Sequence, residues 1–403
     1  MFSRTVIVFV IVGLTALSLP QAVRAQAARG AAPAIGGDAA VLAKGWNAVA
    51  TGNAAEADRL SDSLLKASPR NHDALALRIA ARVSARTVAG ALNALDAYEG
   101  WLGRVDQRED VFLLEPVARG ILSAYATSTD ARVRTRALEL LAAAGDDQAR
   151  RQLGVAAGAR DGGSTLGDDA LVRLGDTAAA QRLVSRVKSA NARDVSASID
   201  ALAAANVGGA AGVIAGALAP PNVLPTRMAA ARALGILGDA SAIPRLKEAL
   251  TDPDPPVRLL AAASLMRLGD NAGAELVQKF ENSPVGDLRL LAVEAGAAGN
   301  PSGPWVGVAT SVLNDPDPLV RLRAAELLVK HASDSGQARE VLTNALTDSN
   351  PAMAEAAARQ LHNLPAGALG SDPVALRKLL RSPSPFAQLE AAGTLLRIAG
   401  SVH

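Results

Sequence analysis

The sequence predicts an all-α fold, an α-solenoid of antiparallel helix pairs stacked into a right-handed superhelix. Three observations lead there. Aromatics are 2% of the 403 residues while Ala is about a fifth, a composition that fills a core by close helix contact rather than by rings. The residues that favour strands are not gathered into alternating runs, which argues against a sandwich or barrel. Finally, one Arg recurs at Arg227, Arg258, Arg289 and Arg321, in steps of 31, 31 and 32 residues, and a fixed period of this length marks a repeat array.

The chain opens with MFSRTVIVFVIVGLTALSLPQAVRA (1–25). Arg4 precedes an apolar run from Val6 to Leu19, Pro20 breaks it, and Val23 and Ala25 are the small residues before a cleavage point. This is the pattern of a secretory signal peptide cut after Ala25, and the run is short for the ~20 residues of a membrane span. The mature protein is therefore expected to be periplasmic or secreted, with no stable span. Residues 26–37 (QAARGAAPAIGG) read as a flexible lead-in.

In 38–105, the run GWNAVATGNAAEADRLSDSLLKASPRNHDAL sets Gly45, Gly52, Ala57, Leu65 and Pro69 at helix-packing and turn positions. It resembles a tetratricopeptide repeat, with Ala91 and Leu95 in a degenerate second copy. Ala48 and Ser61 stand where that family carries larger residues. The plainer alternative is a pair of ordinary antiparallel helices.

Residues 110–400 carry the array. TRMAAARALGILGD (226–239), VRLLAAASLMRLGD (257–270), LRLLAVEAGAAGN (288–300) and VRLRAAELLVKHA (320–332) are versions of one element. IPRLKEALTDPDP (243–255), GVATSVLNDPDP (307–318) and REVLTNALTDSNP (339–351) are versions of another. Each unit is a first helix, a turn rich in Asp and Pro, and a second helix ending in Gly. Asp254 and Asp317 suit the N-cap of the second helix, with Pro255 or Pro318 at its first position. Gly238 and Gly269 suit a left-handed C-terminal cap. These motifs resemble HEAT repeats, in particular the short HEAT-like units of phycobilisome lyases. The resemblance implies the fold and says little of function. It also implies one enzymatic alternative, attachment of a bilin to a partner protein, which an exported chain without Cys and with few aromatics suits badly.

Composition removes several chemistries. With no Cys, thiolate metal sites, Cys nucleophiles and disulfides are excluded. His72, His331, His362 and His403 are far apart and lack metal-ligand spacing. No phosphate-binding loop or nucleophile elbow is present. Lys and Arg number 41 against 39 Asp and Glu, and the leader holds Arg4 and Arg24, so the mature charge is balanced. With few rings for base stacking, nucleic acid is not an expected partner. Trp46, Trp101 and Trp305 read as packing anchors, with Trp101 in a possible loop between Gly100 and Gly103. The pairs Asp252/Asp254 and Asp315/Asp317 supply fewer oxygens than calcium needs. They are better read as caps and as partners of Arg258, Arg289 and Arg321 in a ladder along the stack. No catalytic residue, cofactor or metal is expected.

What remains is an interaction scaffold, non-catalytic, holding a protein or extended peptide on a concave face lined by the second helices. A permanent structural subunit or assembly factor of an envelope complex is the alternative. At 100° per residue from Arg258, Val257, Ala261, Leu265 and Leu268 share one arc, which is the expected buried face. Met228, Leu259, Leu290 and Leu322 fall on the other side, beside Arg232, Glu294 and Glu326. That row is either an apolar binding stripe with a charged rim or a packing surface between adjacent second helices.

Overall fold

The computed structural model describes residues 36–105, 111–158, 163–189, 192–299, 305–331, 336–346, 348–363 and 373–401. The signal peptide and most of the lead-in lie outside the described residues, and helix begins within the lead-in, at Gly36. Among the described residues there are 22 α-helices and no strand, so the fold is an all-α solenoid.

Four helices come first: α1 (Gly36–Ala50), α2 (Ala54–Ala67), α3 (His72–Val83) and α4 (Val88–Val105). Nine pairs follow. They are α5 (Val111–Tyr125) with α6 (Ala131–Ala143), α7 (Asp147–Ala157) with α8 (Gly163–Arg173), and α9 (Thr177–Val187) with α10 (Ala192–Ala204). Next come α11 (Ala211–Gly216) with α12 (Leu224–Leu237), α13 (Ile243–Ala249) with α14 (Pro255–Arg267), and α15 (Ala274–Glu281) with α16 (Gly286–Gly299). The last three are α17 (Trp305–Val312) with α18 (Pro318–His331), α19 (Gly336–Leu346) with α20 (Pro351–Asn363), and α21 (Pro373–Leu380) with α22 (Pro385–Ser401).

A Gly-Asp dipeptide sets the boundary between units. Gly145, Gly175, Gly238 and Gly269 close their second helices at φ +86°, +83°, +71° and +81°, a region that costs a residue with a Cβ. The Asp that follows caps the next unit. Asp146 accepts from the Ala149 amide at 2.9 Å, Asp176 from Ala179 at 2.8 Å, Asp239 from Ser241 at 2.9 Å and Asp270 from Ala272 at 2.9 Å. At the end of α10, Asn206 takes the glycine's place with φ +52°.

The turn inside each unit departs from expectation in one respect. Asp317 caps α18 through the Leu319 amide at 2.8 Å, but the Asp254 side chain makes no cap bond to α14. Its carboxylate is drawn instead to Arg227 of the preceding unit, 2.5 Å away, because a charge-assisted bond to Arg outcompetes one backbone amide. The ladder is likewise partial. Arg227 grips Asp252 at 2.9 and 3.1 Å, and Arg289 reaches Asp315 at 2.5 Å. Arg258 donates to the carbonyls of Asp252 and Pro253 in the turn before its own helix, and the next turn offers it Ser283 where the others have Asp. Arg321 likewise donates to the carbonyls of Asp315 and Pro316.

The second helices α6, α8, α10, α12, α14, α16, α18, α20 and α22 each pack on the next and form an inner layer, with each first helix outside against its own partner. The array does not end free. The last helix, α22, packs on α5 and α6, so the nine pairs close into a ring. The last unit keeps the turn pattern of the others. Gln388 donates to the Ser382 carbonyl six residues back, as Arg134, Arg258, Arg289 and Arg321 do to the carbonyls six before them. The junction itself differs, because α22 meets the first unit chiefly through its first helix, α5, whereas α10, α12 and α14 meet the next unit chiefly through its second helix.

Helices α1–α4 pack consecutively and join the ring through α3 and α4 on α5. A Cβ at Gly45 would come 2.3 Å from Leu77, so glycine there lets α1 close on α3. Ala57, Ala91 and Leu95 are fully buried, and Ser61 is buried with its hydroxyl returned to the Asp58 carbonyl at 2.7 Å. Trp101 lies inside α4, not in a loop, and is buried with His72 edge-on to its ring at 6.3 Å. Trp305 is 1% exposed and has the same relation to His331 at 6.2 Å. Trp46 is half-buried.

Candidate functional site: the inner face of the ring

The second helices form the inner layer of the array. One position of the second helix carries the charge on this side. Its occupants are Glu139, Asp169, Asp200, Arg232, Ala263, Glu294 and Glu326, spaced 30 to 32 residues apart. One helical turn later, Arg173, Arg267 and Lys330 share a second position.

These groups bridge neighbouring helices. Arg173 forks onto Glu139 at 2.6 and 3.0 Å, Arg136 joins Glu139 at 3.0 Å, and Arg136 forks onto Glu390 at 2.7 and 2.8 Å. Arg323 donates to Glu294 at 2.7 Å, and Arg232 reaches Asp200 at 3.4 Å. Burial alone would raise the Glu139 carboxyl, yet Arg173 and Arg136 together hold it below the usual range.

Other groups on this side behave as if walled in. Half of the Asp200 side chain is open to solvent, yet desolvation pushes its carboxyl up, against the pull of Arg232. Desolvation also raises Glu326, against the pull of Lys330, and lowers Arg267. Asp169 is pushed up to about 7 by burial, with Arg173 and Arg186 opposing. Its Oδ1 has no hydrogen-bond partner. Solvent contact combined with desolvation is what a narrow concave surface produces, since water reaches the group but protein surrounds it.

Of the sequence-predicted residues, the apolar row does not form a surface. Leu259 and Leu290 are 0% exposed and Leu322 is 1% exposed, while Met228 is half-buried against the same core. The second of the two sequence readings holds: adjacent second helices pack through this row, and the close spacing allowed by Ala-rich faces leaves no gap for a partner. The charged members are placed differently. Arg232 is exposed, and Glu294 and Glu326 are partly exposed on the inner side.

Sequence reasoning did not single out Glu139, Asp169 or Asp200, nor the cross-ring partners Arg136 and Glu390. The signal was there for the first three, in their 30- and 31-residue spacing leading to Arg232. Glu390 had none, because nothing local reports that the array closes. On the outer side, a cavity of about 240 Å³ is lined by Ala215, Leu218, Pro220, Arg245 and Glu248, and there Arg245 and Glu248 pair with each other at 2.8 Å. Among the described residues, no three His, Asp or Glu side chains are grouped as metal ligands, and no helix is long and apolar enough to cross a membrane.

The complex of CpcE and CpcF of phycocyanin lyase from Nostoc sp. PCC7120 is 20% identical, covering 55% of this chain and 92% of that one, with a TM-score of 0.38. Human deoxyhypusine hydroxylase in complex with glycerol is 17% identical over 65% of this chain and 99% of that one, with a TM-score of 0.35. An engineered protein is 24% identical over 55% and 96%, with a TM-score of 0.28. No curated protein sequence matches the chain. The sequence profile of HEAT repeats matches residues 216–297 and 308–395. That region, which holds the 31-residue period and two-thirds of the ring, is similar to HEAT repeats.

Proposed function

We propose that the protein is an exported, non-catalytic scaffold that holds a protein or extended peptide partner on the inner face of the ring. One observation carries this reading. The same inner position is charged in six of the first seven units, from Glu139 to Glu326, although the helices behind it need only apolar residues to stack. Glu139 and Asp169 are buried, while Asp200, Arg232, Glu294 and Glu326 reach solvent and offer repeated polar contacts to an extended partner, in keeping with how repeat arrays bind. The leader pattern of residues 1–25 places the partner among envelope or secreted proteins.

The test is recovery of the partner from the native envelope. Asp200→Asn, Arg232→Gln and Glu294→Gln, combined, should reduce the recovered partner at least tenfold and leave thermal stability within a few degrees. Undiminished recovery would move the binding surface elsewhere. N-terminal sequencing of the exported protein should begin at or near Gln26; a retained Met1 would contradict export by a cleaved leader.

A further inference from the structure

Two of the three cations at the second inner position have a carboxylate of the array beside them. Arg173 forks onto Glu139, in the preceding unit, at 2.6 and 3.0 Å. Lys330 has Glu326 one turn before it on the same helix, an i,i+4 neighbour whose ionisation it favours. Arg267 stands at the same position of α14 and has neither. The preceding unit offers it Arg232 where Arg173 finds Glu139, and its own helix carries Ala263 where Lys330 has Glu326. The following unit holds Glu294, whose charge acts on Arg267 through space but which takes its hydrogen bond from Arg323 at 2.7 Å.

Among the described residues, Arg267 forms no ion pair and no side-chain hydrogen bond. It is exposed, yet desolvation lowers its pKa, with Glu294 opposing. A guanidinium crowded by protein, whose N–H donors meet no protein acceptor, lacks an anion. The last turn of α14 favours a cation, which makes the charge tolerable there without giving its donors a partner. The equivalent residue one unit earlier is Ile236, 42% exposed. An unfilled charge and an aliphatic surface therefore share one row, on the two adjacent helices α12 and α14 that pack together.

We propose that Arg267 anchors a carboxylate supplied by the partner. The carboxylate belongs to an Asp or Glu side chain of an extended peptide segment, and an aliphatic neighbour of that residue rests on Ile236. The array makes the same contact for itself between α6 and α8, where Glu139 lies in the fork of Arg173. A forked Arg–carboxylate pair fixes position as well as adding strength. A nucleotide anion would need a ring to stack on, and Trp101 and Trp305 are buried; Ile236 suits an aliphatic side chain. The proposal names the partner's chemistry at one point of the inner face and rests on the inner-face reading.

The test pans the full chain against a displayed library of random peptides. Sequences recovered on the wild type should be enriched in Asp or Glu beside Leu, Ile or Val, and one of them, synthesised, is the probe for the variants. Arg267→Gln should weaken its binding at least tenfold. Ala263→Glu sets a carboxylate one turn before Arg267, in the favourable i,i+4 orientation, and fills the site from within. It should also weaken the peptide at least tenfold, while the melting temperature holds or rises. Arg267→Glu should reverse the preference, so that the peptide with its acidic residue replaced by Lys binds better than the original. Neither position is buried, so the variants should fold. Recovered peptides without an acidic residue, no recovered peptide, or an acidic peptide held equally by the wild type, Arg267→Gln and Ala263→Glu would each overturn the anchor. Asp200→Asn with Glu326→Gln separates that failure from failure of the inner face. If these changes release the recovered peptides and Arg267→Gln does not, the inner face binds through other charges and only the anchor is wrong. If no inner-face variant releases them, the inner-face reading fails as well.

Discussion

Glu390, on the last helix, receives both Nε and Nη2 of Arg136, at 2.7 and 2.8 Å, from a residue 254 positions earlier. The carboxylate is 2% exposed, so the pair closes the ring out of reach of solvent screening. Arg136→Ala would leave Glu390 buried without this partner. Breaking one side of a buried pair costs about 3–5 kcal/mol, whereas replacing both sides with apolar residues of similar volume is often neutral. Arg136→Ala should therefore destabilise strongly in chemical denaturation, and Arg136→Met with Glu390→Leu should recover most of the loss. Equal stabilities for the single and double variants would mean the pair does not couple the ends.

Leu259→Ser with Leu290→Ser tests the corrected placement of the apolar row. Both side chains are fully buried between second helices, and large-to-small core changes cost about 2–5 kcal/mol each. The double variant should melt well below the wild type. Retained stability with loss of partner recovery would restore the binding stripe.

Much of this architecture was legible in the chain. The Arg steps of 31, 31 and 32 gave the units, and Gly238 and Gly269 close helices where the pattern said they would. Angular position around a single helix could not decide the fate of Leu259, because a second helix in such a ring has neighbours on two sides. Val257 faces one and Leu259 another, and both are 0% exposed. The closure was invisible for a different reason. Gln388 stands where other units carry Arg258 or Arg289, and its meeting with Tyr125 depends on the summed curvature of nine units rather than on any local motif.

The partial ladder predicts unequal costs for one repeated residue. Arg227 is buried and bonded to Asp252, Asp254 and the Asn222 carbonyl. Arg258 bonds only backbone carbonyls at the edge of its own turn. Arg227→Ala strands the buried Asp252 carboxylate and should cost about 3–5 kcal/mol. Arg258→Ala loses hydrogen bonds worth roughly 1–3 kcal/mol. Urea denaturation of the two variants should rank them in that order; equal losses would show that the turn carbonyls, not the Asp carboxylates, hold the stack.

Asp169 should make stability fall as pH rises through the neutral range. An unfolded Asp titrates near ~3.9, whereas burial pushes this carboxyl up to about 7, Asp168 and Glu139 adding to the effect and Arg173 and Arg186 opposing it. Between those two values the folded protein keeps a proton that the unfolded chain has released. The contribution of this group is fully present below pH ~4, is lost as pH climbs toward ~7, and is level beyond. Asp169→Asn removes the ionisation. Relative to the wild type, the variant should gain roughly 2–4 kcal/mol between pH 4 and pH 8, read as the difference between two urea-denaturation series so that titration of other groups cancels. The gain should come from the wild type weakening, with the Asn protein changing less over the same range. Parallel series would show that Asp169 is ionised throughout, with Arg173 and Arg186 outweighing its burial.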